Sequence, residues 1–108
     1  MALESIEGTD DWIEVIMEED DSLCYEWDEF RAFYSPSEGV YYYASASGCS
    51  CWWYWDDFTS ASDFQVGDLS QVVDSLQGWN RGRNGGAKTS LGTPVEIKRA
   101  VRELIQSA

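Results

Sequence analysis

Charge is sorted along this chain, and the sorting limits what the chain can become. Residues 1–80 hold 18 acids and one base, Arg31, a net of −17. Residues 81–108 hold Arg81, Arg83, Lys88, Lys98, Arg99 and Arg102 against Glu96 and Glu103, a net of +4. A body with that much like charge repels itself, so it needs a generous apolar interior. Six Trp, six Tyr and four Phe in 108 residues supply one, because each large ring removes much apolar area from water. The length suits one domain. An apolar fraction of 44% is that of an ordinary globular chain, not of a disordered acidic polymer.

Hydrophobic periodicity gives the elements. Trp12 to Met17 alternates as a strand, with Trp12, Glu14 and Ile16 on one face and Ile13, Val15 and Met17 on the other. The acids Glu18-Glu19-Asp20-Asp21 are expected to end it. Asp28 to Tyr34 and Val40 to Ala46 read as a hairpin around Ser35-Pro36-Ser37-Glu38-Gly39, a turn by composition. Gly48-Cys49-Ser50-Cys51 should break the second of these strands, and Trp52 to Phe58 offers another. The period then changes. Leu69, Val72, Val73 and Leu76 share a helix face, Asp68 and Gln71 form a capping-box pattern, and Gly78 is a candidate stop. Residues 80–92 read as a Gly-rich, basic, flexible linker. Thr93-Pro94-Val95-Glu96 then opens a helix whose apolar stripe is Ile97, Ala100, Val101, Leu104 and Ile105. The expected fold is α+β: an antiparallel meander of three or four strands followed by two helices, the last on its linker. The expected boundaries are a flexible N-terminus 1–10, an acidic domain 11–79, the linker 80–92 and the helix 93–108.

Several chemistries are unsupported. The chain has no histidine, which removes the commonest general base and metal ligand. Cys24, Cys49 and Cys51 fall short of a zinc set, and the one-residue spacer of Cys49 and Cys51 is too short for the usual ligand pair. With an odd count and no secretory pattern in Met1 to Asp10, ordinary thiols in a reducing compartment are expected. Gly82 to Thr89 approaches a phosphate-binding loop but has Ala87 where the second glycine belongs, and no strand leads into it. No acidic run has the spacing of a calcium-binding loop. A pair of hydrolytic carboxylates has no cleft signature to support it. Neither a metal nor a cofactor is expected, nor a catalytic residue. No apolar run reaches the roughly 18 residues of a membrane span.

Two features point to a partner. The first is the acids Asp10, Asp11, Glu18, Glu19, Asp20, Asp21, Glu26, Asp28, Glu29, Asp56 and Asp57. Held on a sheet, such carboxylates can stand where phosphates would and occupy a basic groove, or they can simply be a solvated face. The second is Trp52-Trp53-Tyr54-Trp55. Strand alternation separates Trp52 and Tyr54 from Trp53 and Trp55, so one pair can enter the core while the other forms a binding patch; helix burial of both pairs is the plainer alternative.

The segment Val40-Tyr41-Tyr42-Tyr43-Ala44-Ser45-Ala46-Ser47-Gly48-Cys49-Ser50-Cys51, together with Trp12-Ile13-Glu14-Val15-Ile16, resembles an uncharacterised family of small actinobacteriophage proteins. The likeness covers about residues 11–79, and the basic linker and last helix look like an addition to it. It implies a phage origin and an accessory role inside an infected bacterium, with host takeover and anti-defence action, anti-CRISPR included, as classes.

The expectation is therefore a non-enzymatic protein of the host bacterial cytoplasm. It would bind and inhibit a host protein that carries a basic nucleic-acid-binding surface, as an acidic mimic of nucleic acid. Its acidic body would bind neither nucleic acid nor membrane. The alternative is a phage structural or assembly protein docking through its C-terminal helix, on a partner or on a second copy.

Overall fold

A computed structural model of the chain describes residues 6–20, 26–49, 58–83 and 85–108. Four strands, β1 (Ile13–Glu19), β2 (Glu26–Ser35), β3 (Val40–Cys49) and β4 (Gln65–Gly67), form one open antiparallel sheet in sequence order. Two helices follow, α1 (Leu69–Arg81) and α2 (Pro94–Ser107), so the fold is α+β. The hairpin of β2 and β3 turns at Gly39, whose φ of 69° lies in the region glycine favours. The fourth strand is Gln65–Gly67, paired with Tyr41 to Tyr43. The expected strand over 52–58 falls, except for Phe58, outside the described residues.

The pairing of β1 with β2 slips between Glu14 and Ile16, which leaves Val15 as the extra residue of a β-bulge. Strict alternation is thereby corrected. Ile13, Val15 and Ile16 all pack toward the helices, while Met17, paired with Arg31, shares the other face with Glu14. Nor do the acids end the strand at Met17. β1 runs on to Glu19, and the Asp20 N–H donates to the Asp28 carbonyl at 2.8 Å. Gly48 is likewise no breaker. It pairs with Trp27, and a Cβ there would stand 2.7 Å from the indole nitrogen, so the missing side chain is the seat of the ring.

The sheet separates two interiors. On one face Phe30, Ala32 and Tyr43 meet Leu69, Val72, Val73 and Leu76 of α1 and Ile97 and Val101 of α2. On the other, Ile6, Trp12, Phe33, Ala46, Phe58 and Phe64 form an aromatic cluster in which Trp12 stacks on Tyr42 at 4.4 Å. The helix starts follow their sequence signals. Asp68 and Gln71 bond each other's backbone N–H, both at 2.9 Å, and Thr93 and Glu96 do the same.

Four expectations of independence are corrected by burial. Gly78 does not stop α1, which continues to Arg81; the last turn buries Asn80 and bonds Trp79 to Asp28. Those contacts offset a cost of about 1 kcal/mol for glycine in a helix interior. Residues 6–10 are not a free tail: Ile6 and Thr9 are each 2% exposed, and Glu7 bonds Thr59 and Ala61 through its backbone. The described part of the 80–92 segment is anchored rather than flexible. Asn80 clamps the backbone N–H and carbonyl of Lys88 at 2.9 and 3.1 Å, and Leu91 packs against the helix-side core. Nor does α2 stand apart on a tether, since Ile97 and Val101 are buried in that same core.

Candidate functional site

The acids collect mainly at the end of the sheet farthest from the Gly39 turn, where β1 finishes and β2 begins. Adjacent strands lie about 4.8 Å apart, so carboxylates on both sit at fixed, close spacing. The pleat then divides them. Glu18 is opposite Phe30 and Asp20 is level with Asp28, which places these acids on the helix side. Glu19 is opposite Glu29 on the other side. Glu26 opens β2 and is exposed.

Each group meets a different counter-charge. On the helix side, Arg83 Nη2 lies 3.1 Å from Asp20 Oδ1, with the two side chains 5% and 1% exposed. Lys88 Nζ lies 3.6 Å from Glu18 in a half-open pair, and Trp79 donates its indole N–H to Asp28 at 2.9 Å. On the other side, Arg31 bridges Glu29 at 3.1 Å and Glu14 at 3.3 Å. That cation offsets the repulsion of the directly opposed Glu19 and Glu29.

Asp10 and Asp11 are not part of this end. They are exposed near the hairpin turn, where the Ser37 backbone N–H donates to Asp11 Oδ2 at 2.9 Å. Side-chain and backbone hydrogen bonds from Ser37 hold the Asp11 carboxyl below its ordinary value. In the same turn the Tyr42 hydroxyl donates to Glu38 at 2.7 Å, and that bond pushes the phenol up. Asp21, Asp56, Asp57, Cys24, Cys51 and the aromatic run Trp52, Trp53, Tyr54 and Trp55 lie outside the described residues, as does the side chain of Cys49.

Sequence reasoning missed Arg31, Arg83, Lys88 and Trp79 as members of the acidic end. A signal was present: one lone base in the acidic body, and a basic segment with no other evident use. Concavities surround this end. Trp79 divides a hollow of 350 Å³, lined by Asp28, Ser45 and Ser47, from one of 270 Å³ that reaches Tyr43, Gln65 and Ser75. A third of 440 Å³ runs beside β1 and α2. Among the described residues, no three Cys, Asp or Glu gather closely enough to hold a metal ion. No described helix is long and apolar enough to cross a membrane.

A family model for a domain of unknown function, DUF7574, matches residues 10–108. The chain belongs to the DUF7574 family. The match includes the basic segment and α2, so these are parts of the DUF7574 domain rather than an addition to a unit ending near residue 79. That agrees with the burial of Ile97 and Val101 under the same sheet as α1. No curated protein and no solved structure matches the chain.

Proposed function

We propose that this DUF7574 chain is a small non-enzymatic binding protein. Its acidic sheet end engages a basic, nucleic-acid-binding surface of a host protein and blocks it as a mimic of nucleic acid. The phage origin, the anti-defence class and the host bacterial cytoplasm come from the sequence resemblance and belong to the same proposal. The observation that carries it is the distribution of counter-charge. Arg83, Lys88 and Arg31 bind Asp20, Glu18, Glu29 and Glu14, whereas Glu19 and Glu26 remain exposed at the same end. The internal bases thus fix the acidic end in shape without hiding it. Docking through α2 is the weaker reading, because Ile97 and Val101 of its stripe are already buried at home.

The test is competition. A partner captured from bacterial lysate should be displaced by duplex DNA, and its retention should fall steeply with salt. Glu19→Gln with Glu26→Gln should weaken capture while leaving the thermal midpoint unchanged. Simultaneous binding of duplex and this chain to the partner overturns the mimicry.

A further inference from the structure

We infer that the outer edge of β1 and the groove beside it accept an extended, basic segment of a partner protein as an added strand. This rests on the reading that the chain binds a protein partner, and it names a different surface for that contact.

The groove of 440 Å³ is lined by four consecutive strand residues, Val15, Ile16, Met17 and Glu18. Consecutive residues point to opposite faces of a sheet, so a hollow touching all four runs along the strand's edge. Its floor is apolar: Leu76, Leu91, Ile97 and Val101. Ala100, small and exposed, forms its helix wall.

Among the described residues the edge itself is open. In an antiparallel ladder alternate residue pairs exchange hydrogen bonds. The bond from Asp20 N–H to the Asp28 carbonyl fixes the phase, so Glu18 and Ile16 direct their backbone groups to β2. Met17 and Glu19 direct theirs outward, and no described residue bonds them. The bulge at Val15 protects the strand's first half from pairing, and the stretch after it is regular.

Charge selects the occupant. The exposed Glu19 and Glu14, the latter bridged to Arg31, flank Met17 on the face away from the helices, while Glu18, in its half-open pair with Lys88, and Glu96 rim the groove. A second copy pairing through its own β1 would crowd Glu14, Glu18 and Glu19 of both strands along one short ladder, so self-pairing is opposed by like charge. A strand with alternating character fits both sides: apolar residues opposite Ile16 drop into the groove, and Lys or Arg opposite Met17 and Glu19 meet the acids. Main-chain bonds supply affinity and the alternating side chains supply selectivity.

The probe is a capped peptide in which Lys and Val alternate over roughly seven residues, an ordinary strand length. Saturable binding with slowed hydrogen exchange at the Met17 and Glu19 amides is expected. Ala100→Trp fills the groove from an exposed helix position, and it should weaken the peptide at least about tenfold with an unchanged thermal midpoint. A peptide of the same composition with Lys and Val in separate blocks should bind at least about tenfold more weakly. Equal binding of the two peptides, or an unaffected Ala100→Trp variant, would mean bulk charge attraction and overturns the inference. So does absence of binding, or a dimer that protects the same amides without peptide. Ala100 is none of the acids on which the duplex competition is scored, so either reading can fail without the other.

Discussion

The acidic sheet and the basic C-terminal segment have opposite compositions, yet they share one core and one electrostatic interface. The sheet contributes Val15, Ile16, Phe30, Ala32 and Tyr43 to the helix-side interior; the basic segment contributes Ile97 and Val101 and packs Leu91 against it. Its bases meet acids of β1, Arg83 at Asp20 and Lys88 at Glu18. A break in charge along a sequence therefore need not mark a domain boundary. Here it marks the two sides of an internal contact, and the repulsion of the acidic body is relieved from within the same domain.

Removing one side is the strongest way to break the comparison. A chain cut after Trp79 loses Ile97 and Val101 from the core and both bases from the acidic end, so it should be an aggregating species without a cooperative thermal transition, by calorimetry and size exclusion. The next effect is Arg83→Met, which breaks the buried ion pair with Asp20. Breaking one partner of such a pair costs about 3–5 kcal/mol, readable as a lower urea midpoint. Lys88→Ala removes the half-open pair with Glu18 and should lose at most about 1 kcal/mol, an effect that shrinks as salt is raised. A larger, salt-independent loss would place Lys88 in the core rather than at its rim.

The smallest effect is a pH dependence at the start of α2. Hydrogen bonds from the Thr93 backbone, then its side chain, hold the Glu96 carboxyl below its ordinary value of 4.5. The folded chain binds that proton less readily than the unfolded one. The contribution is therefore complete above about pH 4.5 and disappears as pH falls through the lowered value. Glu96→Gln should be less stable than the parent at neutral pH, and the gap should close in acid. A gap unchanged by acid would assign Glu96 a purely steric role.

What the sequence made legible was what depends on near neighbours. Asp68 with Gln71, and Thr93 with Pro94 and Glu96, signal helix starts through contacts three residues long. The hairpin turn and the α+β class follow from equally local patterns. What escaped depends on pairing and distance. The bulge at Val15 exists only in register with β2. Gly48 reads as a breaker until Trp27 lies over it. The acidic residues were visible one by one, but their division by the pleat was not. Nor were their partners, since Arg83 and Asp20 stand 63 positions apart. Composition made 80–92 look like a linker because Asn80's clamp on Lys88 is a single buried side chain among glycines.

The long separation of Arg83 from Asp20 has a consequence for the order in which the molecule is made. At about 5–20 residues per second, Arg83 is added to the growing chain roughly 3 to 13 seconds after Asp20. β1 to β4 and all of α1 precede it, so the meander can pair strand by strand while its far end is still without Arg83 and Lys88. During that interval the Asp20 carboxylate lacks its ion pair with Arg83, and the space later filled by Ile97 and Val101 stands open. The sheet end that carries the exposed Glu19 and Glu26 is thus sealed by residues synthesised after the sheet itself, and the helix-side core is completed later still by α2.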